Sequence, residues 1–464
     1  MSAAATPMRR AAIIGGGLAG SLLAILLARR GVDSVVIERA TEAESRTPAG
    51  GRSINLALAA RGLAALARAG VAAEVEPLLL PMRGRQVHQD GGERFLPYGQ
   101  RRGEEIYSVA RATLNGLLQD LARARFGVEY RYGQACVGVD IESARPIVAA
   151  PEGRYLLDAD VVFATDGAGS AVRRGIAAAG HMQAREELLD HGYVELTVRP
   201  AADGGFALRP DALHIWPRGG FMLIALPNLD RSFTATLFLP LEGAKSFAAL
   251  RGAKGKAAGA AHPSGAAAFF AEEFGDVAAL IPNLAAELAS RPVGTLGTVR
   301  CRPWRFKDRI LLLGDAAHAI VPFHGQGMNA AFEDCAALDE LVGRHGADWP
   351  RVLEALERGR LENADAIAEM ALENYREMRD TVRSPNFELR RAIAFELERR
   401  FPERFVPRYS MVMFHPEISY AEAQRRGAIQ ADILAELAAA ATSLEDVDFD
   451  RARELVETRL NTPR

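Results

Sequence analysis

A chain of 464 residues, 49% apolar and 25% charged, is long enough for two or three domains and can bury its cores without disulfides. The formal net charge of −3 gives no footing for nucleic acid, and Cys136, Cys301 and Cys335 are too few and too scattered for a metal site or a redox pair, which fits a reducing cytoplasm. No apolar run accompanies Arg9 and Arg10 ahead of the first strand, so no secretory leader is expected. The most apolar late segment, 428–444, is broken by Asp432 and Glu436 and reads as an amphipathic helix.

In chain order, residues 11–14 form a short apolar strand, Gly-Gly-Gly-Leu-Ala-Gly follows at 15–20, and a helix runs from Leu18 to about Arg30, where Gly31 stops it. Residues 34–38 are the next strand. Such a βαβ unit predicts a right-handed crossover and a parallel sheet. Gly15, Gly17 and Gly20 fit G-x-G-x-x-G at the strand–helix junction. The first glycine permits the tight turn, the second admits a pyrophosphate to the backbone, and the third lets helix and strand pack. The helix N-terminus offers its unpaired N–H groups to the phosphates. Glu38 ends the second strand, where a carboxylate accepts hydrogen bonds from ribose hydroxyls and repels a 2′-phosphate. A bound dinucleotide is expected here.

Residues 157–173 are a strand running into Asp166-Gly167, with Ser170 and Arg173 behind it. Between about 190 and 240 the pattern alternates. Strand-like stretches at 194–198, 212–216, 221–225 and 232–239 are separated by Pro-Arg-Gly-Gly at 217–220 and Pro-Asn-Leu-Asp at 227–230, which predicts an inserted antiparallel sheet. Residues 250–268, rich in Ala, Gly and Lys, read as an exposed, mobile connection. Residues 309–318 are a strand ending in Gly314-Asp315. Val-Pro-Phe-His-Gly-Gln-Gly-Met-Asn follows at 321–329, then a helix from about Met328 and mostly helical sequence beyond.

The Asp-Gly and Gly-Asp segments resemble the second and third signatures of the single-component aromatic hydroxylase group of FAD monooxygenases. The resemblance assigns Asp315 to the ribityl chain and gives Asp166 and Arg173 a supporting role toward FAD and NADPH. It matches Arg111, in Ser-Val-Ala-Arg-Ala-Thr-Leu-Asn, to an arginine near the FAD phosphates. The helix that starts near Met328 would point its N-terminus at the N1–C2=O edge of the flavin and stabilise the anionic reduced form. Gly327, Met328 and Asn329 are the candidates there, Met328 and Asn329 as backbone donors. Leu18, Ala19, Arg39, Ala57 and Cys136 complete the expected cofactor set. His318 is read as structural and His324 as part of the flavin loop, within reach of substrate.

A set of internal runs narrows the resemblance. These include Gly-Arg-Ser-Ile-Asn-Leu-Ala-Leu at 51–58, Met-Arg-Gly-Arg at 82–85, Leu-Pro-Tyr-Gly at 96–99, Leu-His-Ile-Trp-Pro-Arg at 213–218, Ala-Leu-Glu-Asn-Tyr-Arg-Glu-Met at 371–378 and Pro-Arg-Tyr-Ser-Met-Val at 407–412. Over about residues 10–430 the chain resembles the kynurenine 3-monooxygenase family. Kynurenine carries an α-amino acid carboxylate, which a bidentate guanidinium beside a hydroxyl or amide holds best. Arg83 and Arg85 alternate on a predicted strand, and the resemblance makes Arg85 the clamp. It makes Tyr98, Asn374 and Tyr409 its polar partners, with Met378 and Phe238 lining the ring pocket. Asn374 and Met378, four apart, share a helix face.

What the resemblance implies is an α/β fold: a Rossmann-like FAD-binding domain with an inserted, mainly antiparallel β-sheet substrate domain and a C-terminal helical region. The FAD-binding parts are placed at 8–75, 106–185 and 301–345, the substrate-binding parts at 76–105 and 186–300, and the helical region at 346–464. The implied reaction hydroxylates L-kynurenine with O2 and NADPH through a flavin C4a-hydroperoxide, with no protein nucleophile and no metal. Eukaryotic members carry a C-terminal membrane anchor; the tail here ends Leu-Asn-Thr-Pro-Arg, so a soluble, cytoplasmic, bacterial-type enzyme is expected. Oligomeric state stays open, a homodimer included. The alternatives left open are hydroxylation of another aromatic acid, a reductase or halogenase of related fold, and a non-catalytic FAD-binding module.

Overall fold

A computed structural model describes residues 10–46, 55–89, 92–251, 263–379 and 385–460. Residues 51–54 of the 51–58 run and 252–262 of the expected connection lie outside the described residues. The chain divides into two compact units. The first takes Met1–Leu79, Val109–Leu188 and Gly297–Ala368, the second Leu80–Ser108, Leu189–Leu296 and Glu369–Arg464.

The main sheet of the first unit runs in the order Arg305–Phe306, Ile310–Leu312, Val161–Ala164, Arg10–Ile14, Asp33–Glu38, Glu129–Tyr132. Every neighbouring pair is parallel except the first. Its central strands are runs of Val, Ile, Ala and Leu buried on both faces, as a covered parallel sheet requires. The Leu18–Arg29 helix is buried along most of its length and therefore apolar nearly all round. The Asp166-Gly167 and Gly314-Asp315 turns follow the Val161–Ala164 and Ile310–Leu312 strands, at the carboxyl end of the sheet where α/β folds place ligands. A three-stranded antiparallel sheet, Ala135–Asp140, Arg145–Ala150 and Gly153–Leu156, escaped the sequence reading. Its strands are short, and exposed Val137 and Leu156 blur the alternation.

In the second unit the strand Gln183–Val198 from Leu189 onward, then Phe233–Pro240, Met222–Pro227, Ala212–Pro217, Gly84–Gln89 and Gly92–Pro97, are successive neighbours, antiparallel except for the parallel pair of Ala212–Pro217 with Gly84–Gln89. One face packs Val194, Leu196, Trp216, Leu223, Ala225, Phe233, Leu237 and Leu239 against Phe269, Phe270 and Phe274 and the short helices around them. That packing corrects the expected connection at 250–268. Residues from 263 belong to the Pro263–Glu273 helix, and Ala266 and Phe270 are fully buried. The Ala- and Gly-rich composition concealed an apolar stripe that continues into Phe274.

The C-terminal helices of this unit bury Ile393, Leu397, Phe405, Ile433, Leu437 and Val456. The helix expected over 428–444 spans Tyr420–Ala439 instead. It starts earlier because Ser419 caps it, accepting the Glu422 N–H at 3.2 Å. Among the described residues no helix is long and apolar enough to cross a membrane.

Candidate active site

The glycine turn is built as the spacing implied. Gly15 has φ 102°, and a Cβ there would come within 2.6 Å of the Thr165 carbonyl oxygen; at Gly20 a Cβ would overlap the Gly15 carbonyl. Gly17 differs. Among the described residues a Cβ there meets nothing within 4 Å and no side chain caps the helix that starts at Leu18, so the first-turn N–H groups of Leu18, Ala19 and Gly20 are open to an anion. Glu38 is anchored beside the turn, its Oε2 accepting the Gly16 N–H at 2.7 Å and its Oε1 the Ala40 N–H at 2.8 Å. Behind it, Gln119 donates to the Gly16 carbonyl at 2.7 Å and accepts from the Tyr132 hydroxyl at 3.1 Å. Local pattern does not mark Gln119, whose full burial appears only in the fold. Arg111 begins that Arg111–Ala124 helix and is exposed, as is Arg39 next to Glu38. Burial pushes the Cys136 thiol up to about 11, so it stays protonated.

Gly314 adopts φ 56° and ψ −140°, backbone that glycine alone takes easily. A Cβ there would lie 3.8 Å from the Ala19 Cβ, which places the Gly-Asp turn against the start of the first helix. Asp315 follows, exposed, in the one-turn Asp315–His318 helix. The Gly327–His345 helix has no side-chain cap, leaving the N–H groups of Gly327, Met328 and Asn329 without intrahelical acceptors. The Asn329 side chain has a task of its own. Its Oδ1 accepts the Ala59 N–H at 2.9 Å and its Nδ2 donates to the Ala57 and Gly325 carbonyls at 2.9 and 2.8 Å, which locks the loop to the segment holding Ala57. His324 is buried one residue before Gly325. Arg173, fully buried, donates to the Ala316 carbonyl at 2.8 Å and to Glu186 at 2.6 Å, and Asp166 accepts the Ala171 N–H at 2.8 Å. Two uncapped helix N-termini, an anchored carboxylate and an exposed aspartate at a strand end fit the phosphates, ribose and ribityl chain of FAD.

The second unit holds the other group of candidates. Register places Arg85 beside Leu213, and Ile215 beside Ile224, which pairs with Thr236. Arg85 and Phe238 therefore project from the same face of the sheet, opposite the packed aromatic layer. The Arg85 guanidinium carbon is 4.9 Å from the Tyr409 ring centroid and 5.8 Å from that of Tyr98, and the two rings stack at 5.4 Å. Burial raises the Tyr98 and Tyr409 phenols, so both keep their protons. Burial opposes the Arg85 charge, yet Tyr409, Tyr98 and Glu377 outweigh it and raise the pKa. Burial, then the charges of Arg85 and Arg94, lower Arg391 to about 10. Arg85 Nε and Tyr98 Oη are buried with no hydrogen-bond partner among the described residues. Surplus positive charge beside unmet donors calls for an anion.

Asn374 and Met378 are buried on the Trp349–Arg379 helix, with Asn374 Nδ2 3.3 Å from Met378 Sδ. Glu377, which the sequence reading passed over, puts Oε1 3.9 Å from Arg85 Nη1. Arg83 falls between two strands with its side chain 66% exposed, unlike Arg85 at 11%. Arg85, Tyr98 and Tyr409 thus come together, joined by Glu377. His324 belongs to the first unit and not to this group.

A family model described as FAD binding domain matches residues 9–232 and 278–367. The chain is 45% identical over 452 residues to the kynurenine 3-monooxygenase of Myxococcus xanthus, covering 97% of this chain and 95% of that one. It is 44% identical over 463 residues to that of Xanthomonas campestris pv. campestris, covering 99% and 98%. Among solved structures, the tetrameric form of 2-methyl-3-hydroxypyridine-5-carboxylic acid oxygenase shares the fold at a TM-score of 0.63 and 21% identity, over 82% of this chain and 95% of that one.

Proposed function

The chain belongs to the kynurenine 3-monooxygenase family and is an FAD-dependent monooxygenase, and on that premise we propose that it hydroxylates L-kynurenine to 3-hydroxykynurenine with NADPH and O2 as co-substrates. The observation that carries the substrate assignment is the buried, anion-seeking group of Arg85, Tyr98 and Tyr409. Arg85 clamps the α-carboxylate, the two neutral phenols donate to it, and Asn374 supplies a further polar contact. Glu377, a carboxylate beside the clamp, offsets the α-ammonium. Phe238 and Met378 give the aminophenyl ring an apolar wall.

When bound, FAD would supply the redox chemistry by which NADPH activates O2 for transfer to a ring carbon made nucleophilic by its ortho-amino group. The protein's part is to hold the cofactor and keep water away. The open N–H groups after Gly17 take the pyrophosphate, with Gly15, Leu18, Ala19, Gly20 and Arg111 around it, and Arg39 and Cys136 complete the cofactor site. Glu38 takes the ribose, Asp315 the ribityl chain, and the backbone of Gly327, Met328 and Asn329, with Ala57, the flavin edge. The enzyme works in the cytoplasm on this reading. We expect L-kynurenine to accelerate NADPH oxidation by the purified holoenzyme manyfold. Equal oxidation rates with and without L-kynurenine would reject the assignment.

A further inference from the structure

Asp334 lies on the Gly327–His345 helix and is completely buried. Its Oδ2 accepts the Gly314 N–H at 3.2 Å and faces His318 Nε2 at 2.5 Å. Gly314 caps the one-turn helix that carries Asp315, and His318 ends it. One carboxylate oxygen therefore grips the turn at both ends. The other oxygen, Oδ1, accepts from Arg360 Nε at 2.8 Å. Arg360 also donates to Glu333 at 2.9 Å, and Glu333 accepts from Arg61 at 2.8 Å. The His318 ring stacks on Trp304 with centroids 5.0 Å apart.

Burial alone would neutralise this cluster. It opposes the charge on His318, but Asp334 outweighs it and raises the imidazole; it opposes the charge on Asp334, but His318 and Arg360 outweigh it and lower the carboxyl to about 2. A buried ion-pair network of this kind adds little stability over an apolar core of equal volume. What it does provide is a fixed geometry, because each charge has one low-energy arrangement of partners. Here the fixed element is the Asp315 turn, and the element that fixes it is the helix whose first residues are Gly327, Met328 and Asn329.

We propose that Asp334 is a positioning residue for FAD: by holding Gly314 and His318 it sets the Asp315 carboxylate relative to the N-terminus of its own helix, and cofactor affinity depends on it although it touches no cofactor atom. The proposal rests on the assignment of Asp315 to the ribityl chain, so Asp315→Ala is measured beside it. FAD dissociation constants are read from flavin fluorescence on dilution of the holoenzymes, at a temperature where near-ultraviolet circular dichroism shows each variant folded. The fine structure of the bound flavin's visible band is recorded alongside. Asp334→Asn keeps the shape and an acceptor for Gly314 but loses the charge that holds His318. It is expected to weaken FAD binding about tenfold or more and to blur the visible band. His318→Gln, which leaves the Asp334–Arg360 pair in place, is expected to move both readouts the same way by a smaller factor and decides the matter if Asp334→Asn does not fold. FAD affinity within twofold of the parent in a folded variant, with an unchanged band, overturns the proposal, even where the melting temperature falls. If Asp315→Ala also leaves affinity unchanged, the ribityl assignment falls and the proposal with it; if only Asp315→Ala weakens binding, the proposal alone falls.

Discussion

The guanidinium of Arg85 lies over the ring of Tyr409, 4.9 Å from carbon to centroid, and 5.8 Å from the centroid of Tyr98, whose ring stacks beside that of Tyr409 at 5.4 Å. A planar cation resting against two neutral aromatic rings is held before any ligand arrives, so its donors already point one way.

The planarity matters as much as the charge. Arg85→Lys keeps the cation but loses the two-pronged fork. L-Kynurenine should bind about tenfold more weakly or worse, with FAD content unchanged. Titration of the oxidised holoenzyme by flavin absorbance checks this, and unaltered affinity would remove Arg85 from the carboxylate role.

Tyr98 and Tyr409 should act as a coupled pair. Losing either hydroxyl, in Tyr98→Phe or Tyr409→Phe, should cost about 1 kcal/mol of substrate binding. The double variant should depart from the sum of the two by more than about 0.5 kcal/mol, because the rings touch and share one guanidinium. Strict additivity would mean that the two phenols serve separate ends of the ligand.

Two glycines of one motif should fail in different ways. Gly17→Ala meets open space and an extended φ of −74°, ψ of −174°. The apoprotein should melt near the parent temperature while FAD affinity falls, because the methyl enters the volume left for the pyrophosphate. Gly20→Ala meets the Gly15 carbonyl and should destabilise the apoprotein itself. Thermal melts of both apoproteins, with FAD titrations, distinguish the two.

Acid should weaken the second unit through His214. Its Nε2 faces the Arg209 carbonyl at 2.8 Å and its Nδ1 faces His88 Nε2 at 2.8 Å, so both ring nitrogens of the neutral imidazole are matched. Burial, with the charges of His88 and Arg209 against the carbonyl bond and Asp211, lowers its pKa from 6.5 to about 4. A lowered folded pKa means that the unfolded chain binds more protons below pH 6.5, so stability falls as pH drops from about 6.5 to about 4, by at most about 3 kcal/mol, and levels off below. His214→Gln should flatten urea-denaturation stability across that window. An equally steep acid loss in the variant would place the linkage elsewhere.

Much of this was legible in the sequence. The glycine spacing and the turn at Gly314 were readable because each depends on backbone geometry that few residues supply. Asn374 and Met378 came from the family resemblance, and helical periodicity added only that they share a face. Gln119, Asp334 and Glu377 were not readable. Each is a polar residue on a helix whose value lies in partners from other elements, Gly16 for Gln119, Gly314 and Arg360 for Asp334 and Arg85 for Glu377, and local pattern carries no such information. The helix after 263 was hidden for a related reason: alanine and glycine look like a connection until the aromatic layer they pack against is known. Asn329 was read for its backbone, and its side chain proves to clamp Ala57 and Ala59.

The most direct test of the account is the mass of the product formed from L-kynurenine by the purified holoenzyme with NADPH under isotopically heavy O2. The account predicts a product heavier than kynurenine by one oxygen atom, carrying the heavy isotope from O2. Unchanged kynurenine, alongside labelled product from a different aromatic acid, would contradict it.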